Sequence, residues 1–260
     1  MELKSLNLEL KKPLDEAISN ALTLYYMKAP FKSFEKIIQS SNINKLISDF
    51  PDNAEEIAEK MFEIHTEKSK QTHYGKVYER IVENFKGVEK IESDSKLKGI
   101  DYKIEDLDTV YFLSHKSGAN WANSSQGRDQ SKSFERARES VLDKRTVCIN
   151  TCSYGVDDKP HKDTEFSNYY KLCGQRTWEF LSGDPNFYSK INASIRRVKK
   201  DLRVYDTVST KAERFLKDFK HHCTNEDGTV NWDTLLRINS SKNSKLGNQD
   251  HLFNNYGETE

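Results

Sequence analysis

The sequence has few of the residues that mark fibrous, disulfide-rich or membrane proteins. Its 260 residues include only 4 cysteines, 5 prolines and 11 glycines, which excludes collagen-like chains and small disulfide-stabilised domains. No segment approaches the roughly 18 consecutive apolar residues that a membrane-spanning helix needs. The first residues, Met1 to Lys4, carry no apolar signal-peptide region. We therefore expect a soluble, cytoplasmic protein without a membrane partner.

The chain also lacks a net charge. Its 41 Lys and Arg residues equal its 41 Asp and Glu residues, which excludes a histone-like protein that binds nucleic acid through bulk charge alone. Basic residues are concentrated locally, with six of them in the segment 190–203. The apolar residues of this segment fall on one helical face and leave the bases largely on the other. The basic face is a candidate phosphate contact, and the alternative is an ordinary solvated face.

Several common catalytic motifs are absent from the sequence. It contains no G-x-x-x-x-G-K-[ST] loop, no G-x-G-x-x-G loop and no G-x-S-x-G elbow. The four cysteines form no C-x-x-C pair, so buried reduced thiols are favoured over a zinc site or a disulfide. His161 lies in a charged loop whose spacing fits no zinc or EF-hand pattern.

Hydrophobic patterning predicts helices toward both ends of the chain and strands in the middle. The segments with helical spacing are 14–25, 54–62, 74–85, 131–142, 191–202, 211–222 and 232–238. The segments rich in β-branched and aromatic residues are 99–103, 109–115, 145–155 and 169–173. The predicted fold class is α/β (α+β), a small mixed β-sheet flanked by helices, with largely helical N- and C-terminal parts.

An acid and a lysine lie at the ends of two neighbouring predicted strands. Asp101 lies in the first strand, and Lys116 ends the second within the segment SHKSG at 114–118. A short turn between these strands would bring both side chains to one end of the sheet. A carboxylate can hold a divalent cation that lowers the pKa of a bound water, and a lysine can stabilise phosphate charge. The pair suits phosphodiester hydrolysis, and the alternative is an ordinary surface ion pair.

This strand pair resembles the signature of the PD-(D/E)XK nucleases, in which an acid is followed on the next strand by (D/E)-x-Lys. The order and spacing of five segments resemble the type II restriction endonucleases that cut interrupted palindromes of the GG-N-CC type. These segments are THYGKVYERIV at 72–82, GID at 99–101, SHKSG at 114–118, CGQRTWEFLSGD at 173–184 and NEDGTVNWDTLLRIN at 225–239. The resemblance covers about residues 70–240 and implies a sheet of the restriction-endonuclease-like kind.

The resemblance implies that Asp101 is the metal-binding acid and Lys116 the catalytic lysine. Ser114 stands where the signature has Asp or Glu, and a serine hydroxyl is a weak ligand for Mg²⁺. We therefore expect a second carboxylate from a helix packed on the active site. Glu79, in the segment 72–82, is the first candidate, and its alternative is a plain solvated helix residue.

Two further groups are candidates for metal binding. Glu83 lies four residues after Glu79 on the same helical face and is the second candidate carboxylate. The backbone carbonyl of His115 could bind the metal as well, because the position of the backbone does not depend on the side chain.

The polar segment 117–128 directly follows the lysine and is uncharged until its last residue. Asn and Gln side chains can bond adenine, Arg can bond guanine, and several polar groups can hold phosphates. The candidate DNA contacts are Asn120, Trp121, Asn123, Gln126 and Arg128 in this segment, and Arg196 and Arg197 in the basic segment. The alternative is an ordinary polar loop in which Gln126 and Arg128 open the following helix and support the active site.

Together these features predict a type II restriction endonuclease that uses Mg²⁺ to cut double-stranded DNA at a short palindrome. The resemblance suggests a GGNCC-type site and a cognate DNA methyltransferase as a functional, not bound, counterpart. A palindrome has two-fold symmetry, so the matching reader is a homodimer. We expect a helical region for dimerisation or DNA clamping over 1–70, an endonuclease core over 71–240 and a polar tail over 241–260.

Two alternatives remain open. One is a structure-specific repair or phage nuclease with the same signature. The other is a non-catalytic DNA-binding protein on a nuclease-like scaffold, which the serine at position 114 favours.

Overall fold

Five β-strands form one mixed sheet in the order in which they follow along the chain. The computed structural model describes residues 3–28, 32–92, 96–156 and 169–240. The strands are β1 (Val88–Lys90), β2 (Tyr102–Glu105), β3 (Thr109–Gly118), β4 (Arg145–Tyr154) and β5 (Tyr170–Cys173). The first three pair antiparallel, whereas β3, β4 and β5 run parallel to one another. This mixed sheet confirms the predicted fold class.

Helices account for most of the remaining described chain. They are α1 (Leu14–Leu22), α2 (Phe34–Gln39), α3 (Ile43–Asp49), α4 (Ala54–Glu83), α5 (Ser124–Glu139), α6 (Gln175–Ser182), α7 (Phe187–Asp201), α8 (Val204–His222) and α9 (Trp232–Ser240). A π-helical turn, Thr23–Lys28, continues α1. None of the helices in the described ranges is long and apolar enough to cross a membrane.

The chain divides into two compact units. The core unit comprises residues 1–25 and 73–202 and contains the whole sheet, and the helical unit comprises residues 26–72 and 203–260. The helical unit therefore draws on both ends of the chain, whereas the sequence-based division at residues 70 and 240 assumes contiguous segments. The dimerisation or clamp role assigned to residues 1–70 stays a prediction.

Each unit has its own hydrophobic core. In the core unit, α5 packs on one face of the sheet, where Phe134 joins the buried strand residues Phe112 and Cys148. In the helical unit, α8 packs Phe215 and Phe219 against residues of α2, α3, α4 and α9. All four cysteines are buried and free, as the sequence indicated.

The helix α4 differs from the sequence-based expectation. One 30-residue helix replaces the two helices expected at 54–62 and 74–85. The connecting residues 63–73 contain no glycine or proline, and several are good helix formers. Because they are mostly polar, hydrophobic periodicity gives no signal there, although the backbone remains helical. The short edge strand β1 was also missed, and His161 and the tail 241–260 lie outside the described residues.

Candidate active site

Asp101 and Lys116 meet where β2 begins. The Asp101 N–H donates to the Leu113 carbonyl at 2.8 Å, which carries the pairing of β2 with β3 one residue beyond Tyr102. The Lys116 Nζ lies 3.4 Å from Asp101 Oδ2, and the two side chains are 30% and 38% exposed. The structure thus brings together the two groups that the strand spacing placed at one end of the sheet.

Backbone and side-chain donors hold one oxygen of the Asp101 carboxylate. Asp101 Oδ2 accepts a hydrogen bond from the His115 N–H at 2.6 Å, and the Ser114 Oγ lies 3.4 Å away. Within the described ranges, Asp101 Oδ1 has no hydrogen-bond partner. The carboxylate is therefore oriented through one oxygen, and the other is free for a ligand.

The Ser114 side chain binds Gln130, whereas the Asp or Glu that the nuclease signature has at this position is a metal ligand. It is fully buried, and its hydroxyl donates to Gln130 Oε1 at 2.8 Å. The Gln130 Nε2 in turn donates to the Gly99 carbonyl at 3.1 Å, just before Asp101. Because the Ser114 hydroxyl carries a single proton, its contact with Asp101 is the weaker of the two. Gln130 was not predicted from the sequence, although its position on an amphipathic helix beside the strands could have indicated it.

A second buried amide links the strand that carries Lys116 to the segment that follows β3. Asn150 is fully buried, and its Nδ2 donates to the Ser114 carbonyl at 3.0 Å. Its Oδ1 accepts the indole N–H of Trp121 at 2.9 Å. The Lys116 ammonium lies 5.7 Å from the centroid of the Trp121 ring, within the range of a cation–π contact. Asn150 lies in an apolar strand pattern that gave no functional signal.

His115 is a buried structural histidine. Its Nδ1 lies 3.0 Å from Thr151 Oγ1 and its Nε2 2.9 Å from Ser153 Oγ, so both ring nitrogens are satisfied. Burial, assisted by the positive charge of Lys116, lowers the pKa of His115 to about 3. The imidazole is therefore neutral at physiological pH. The metal-binding role predicted for His115 can therefore involve only its backbone carbonyl, because its backbone N–H already donates to Asp101.

The structure does not bring Glu79 into contact with Asp101. The Glu79 carboxylate is bound by Lys76 at 2.7 and 2.9 Å. Its backbone carbonyl accepts the Tyr102 hydroxyl at 3.4 Å. Tyr102 follows Asp101 directly, so the two side chains point to opposite faces of the sheet. Burial, and then the charges of Glu83, Glu79 and Asp101, raise the pKa of Tyr102, which places all three carboxylates within electrostatic reach of this phenol.

Glu83 has two basic partners. Its carboxylate is bound by Arg80 and Lys90, each at 2.6 Å. Among the residues that the structure describes, no group of three or more His, Cys, Asp or Glu side chains could hold a metal ion. Among the described residues, Asp101 has the only carboxylate that forms an ion pair with the Lys116 ammonium.

The segment after β3 divides into a capped helix start and exposed polar residues. Asn123 is the N-cap of α5, and it forms a capping box with Gln126. Asn120 and Arg128 are exposed, and the Arg128 guanidinium has no hydrogen bond or ion pair to any described residue. The candidate contacts from the sequence thus include two residues that stabilise a helix terminus.

Some of the basic side chains of α7 form ion pairs within the protein. Arg197 binds both oxygens of Asp15 on α1 at 2.8 and 3.0 Å, and Asp15 also accepts the Ser194 hydroxyl. Lys190 binds Asp184 at 2.5 Å. Arg196 is exposed and has no such partner in the described chain. Of the two arginines predicted to contact DNA, Arg196 is therefore the better placed for a phosphate.

A comparison with protein-family models agrees with the resemblance seen in the sequence. A family model described as type II restriction endonuclease EcoO109I matches residues 36–202, which is more than half of the chain. The matched range includes β2 and β3 with Asp101 and Lys116. A comparison with curated proteins gave no significant match. The extent of the family match confirms the resemblance, and the chain belongs to the family of type II restriction endonuclease EcoO109I.

Proposed function

We propose that the protein uses Mg²⁺ to hydrolyse both strands of double-stranded DNA at a short palindrome. One observation carries the proposal: in a restriction endonuclease family member, a carboxylate with one free oxygen lies 3.4 Å from a lysine ammonium. Mg²⁺-dependent phosphodiester hydrolysis needs both an acidic ligand and a positive group near the phosphate.

The donors at the site fit a Mg²⁺ ion that has few protein ligands. Mg²⁺ keeps several waters and is often held by only one or two carboxylates together with substrate phosphate oxygens. Asp101 would hold the ion through its free Oδ1, and the backbone carbonyl of His115 is a candidate neutral ligand. When bound, the ion supplies neutralisation of phosphate charge and a lowered pKa for a coordinated water.

Glu79 is our candidate for the second carboxylate. It would have to release Lys76, which binds its carboxylate in the structure, and also reach the metal from the Tyr102 face of the sheet, opposite the side chain of Asp101. The Lys76 side chain is 47% exposed and that of Glu79 is 29% exposed, so the pair is near the surface. Surface ion pairs contribute only about 0–1 kcal/mol, so releasing Glu79 costs little.

The protein groups divide the work between them. The His115 amide fixes the Asp101 carboxylate through Oδ2, which leaves Oδ1 free to bind a ligand. The Lys116 ammonium is placed to donate hydrogen bonds to a phosphate oxygen or to the attacking water. Ser114 contributes orientation through Gln130 and is not a strong metal ligand.

The recognition of DNA is proposed from the family and from the exposed residues near β3. A GGNCC-type palindrome would be read by a homodimer with one active site for each strand. Asn120 and Arg128 are exposed in the segment that follows Lys116, and Arg196 is exposed on α7. We propose these three side chains as contacts to bases or phosphates.

The first test is digestion of an unmethylated plasmid with the purified protein in Mg²⁺, beside a control in EDTA. Discrete fragments that require Mg²⁺ are expected, and mapping their ends gives the recognition site. A smear of fragments would favour the structure-specific nuclease. Intact plasmid in both Mg²⁺ and Mn²⁺, with DNA binding retained, would favour the non-catalytic DNA-binding protein.

A matched pair of lysine variants tests the site itself. Lys103 on β2 pairs with Glu105 and is 29% exposed, close to the 30% of Lys116. Lys116→Gln is expected to abolish cleavage and to retain binding, whereas Lys103→Gln is expected to cleave normally. Asp101→Asn should also abolish cleavage. Full activity in either active-site variant would refute the assignment of the site.

A further inference from the structure

Trp121 contacts both the lysine of the proposed active site and a buried asparagine of β4. One contact is with Lys116, whose ammonium lies 5.7 Å from the ring centroid. The other is the hydrogen bond from the indole N–H to Asn150 Oδ1 at 2.9 Å. The polar edge of the indole is therefore used inside the protein, and its ring meets the ammonium.

Asn150, which binds Trp121, also binds the strand that carries Lys116. Asn150 donates from Nδ2 to the carbonyl of Ser114, two residues before Lys116, at 3.0 Å. Asn150 is fully buried in β4, an interior strand that pairs with β3 over almost its whole length. One rigid amide thus fixes the strand that carries the lysine and the ring that the lysine contacts.

The segment between β3 and Trp121 is fixed as well. Lys171 on β5 donates from Nζ to the Ala119 carbonyl at 2.9 Å. Trp121 packs against a small buried cluster formed by Ala119, Cys152 and Cys173. The position of the ring is therefore set by β4 and β5 rather than by the loop itself.

We propose that Trp121 is a positioning residue that holds the Lys116 ammonium beside Asp101, and that it does not stack on DNA. This inference rests on the proposed function of Lys116. A lysine side chain is long and flexible, and a cation–π contact with a fixed ring restricts the positions that its ammonium visits. A ring fixed beneath the ammonium keeps Nζ near Asp101 before DNA binds.

Three variants separate positioning from DNA contact. Trp121→Phe keeps an aromatic face and loses only the N–H, whereas Trp121→Leu loses the face. Trp232→Leu is the matched control, since Trp232 is the partly buried indole that packs on the core of the helical unit. For each variant we would measure the single-turnover cleavage rate in Mg²⁺ and the Kd for the same duplex in Ca²⁺. The duplex is the shortest one that the wild-type protein cleaves.

We expect Trp121→Leu to lower the single-turnover rate by about tenfold, which corresponds to about 1.4 kcal/mol of activation free energy. Its Kd should equal that of the wild type, and Trp121→Phe should recover most of the rate. Trp232→Leu should match the wild type in both measurements. A weakened Kd with an unchanged rate at saturating DNA would overturn the proposal and make Trp121 a DNA contact. An unchanged rate and an unchanged Kd would overturn it too.

A measurement on the free protein keeps the test independent of cleavage. In protein labelled with ¹³C at the lysine Cε, relaxation reports the mobility of the Lys116 side chain, and the signal is assigned by its loss in Lys116→Arg. Mobility is expected to rise in Trp121→Leu and to stay low in Trp121→Phe. Equal mobility in the wild type and Trp121→Leu would refute the positioning role, even for a protein that cleaves no DNA.

Discussion

Replacing Ser114 by alanine removes a hydroxyl group from the place where the nuclease signature has a carboxylate. Ser114 is 0% exposed, and its hydroxyl donates to Gln130 Oε1 at 2.8 Å. Gln130 is itself only 6% exposed, so water cannot readily replace the lost donor. An unpaired buried acceptor costs about 1–3 kcal/mol. We expect Ser114→Ala to lower the free energy of unfolding by about 2 kcal/mol.

For a chain of this size, that loss corresponds to a melting temperature lower by about 4–8 °C. Thermal unfolding followed by tryptophan fluorescence measures it. The control is Ser189→Ala, because Ser189 is an exposed serine on α7 and such substitutions shift stability by less than about 0.5 kcal/mol. A melting temperature for Ser114→Ala equal to that of the wild type would refute the hydrogen bond to Gln130.

A double-mutant cycle sharpens this prediction. Gln130→Leu removes the acceptor and also leaves the Gly99 carbonyl without its donor. If Ser114 and Gln130 act through their mutual bond, the double variant should be more stable than the sum of the single losses by about 0.5–3 kcal/mol. Additive losses would show that the two side chains act separately. Cleavage should persist in Ser114→Ala below its melting temperature, because the His115 amide still holds Asp101.

Three further predictions concern other side chains. Glu79→Gln should raise the Mg²⁺ concentration needed for half-maximal cleavage, whereas Glu83→Gln should not, because two bases already bind its carboxylate; an unchanged requirement in the first variant would remove Glu79 as a ligand. Arg128→Ala should cost about 1–3 kcal/mol of binding at one base pair, and an equal loss on all sequences would make it a phosphate contact. The pKa of His115 is about 3 in the fold, below its unfolded value of about 6.5, so only the unfolded state takes up a proton between these values. Stability of the metal-free protein should therefore fall with decreasing pH in this window by up to about 1.4 kcal/mol per pH unit, and urea titrations of His115→Gln should lack this component.

The part of the site that could be predicted from sequence depends on local pairing. Asp101 and Lys116 are 15 residues apart on two strands joined by a tight turn, so their juxtaposition follows from hairpin geometry alone. The strand β4 and the helix α7 were also predicted close to their observed bounds, because each has a strong apolar pattern. Short-range periodicity was sufficient in these cases.

The groups around this pair could not be predicted in the same way. Asn150 reaches Ser114 through the parallel pairing of β3 with β4, whose register is set across the whole of α5. Gln130 reaches Ser114 only because α5 packs on that face of the sheet. Lys171 comes from β5, a further strand away. A polar residue in an apolar strand or on a helix has no periodic signature that names its partner, so these contacts depend on tertiary structure.

The capping box at α5 limits which bases its residues can read. Asn123 Oδ1 accepts the Gln126 N–H at 3.0 Å, and Gln126 Oε1 accepts the Asn123 N–H at 2.9 Å. Asn123 Oδ1 also accepts the Ser125 hydroxyl at 2.7 Å, so both of its lone pairs are used within the protein, whereas Gln126 Oε1 keeps one lone pair. Breaking such a cap costs about 1 kcal/mol. Bidentate recognition of adenine needs an acceptor and a donor from one side-chain amide, which Asn123 cannot offer while the cap is intact. Its NH₂ group can still donate to guanine O6 and N7, which are acceptors only, so the cap leaves Asn123 better suited to guanine than to adenine.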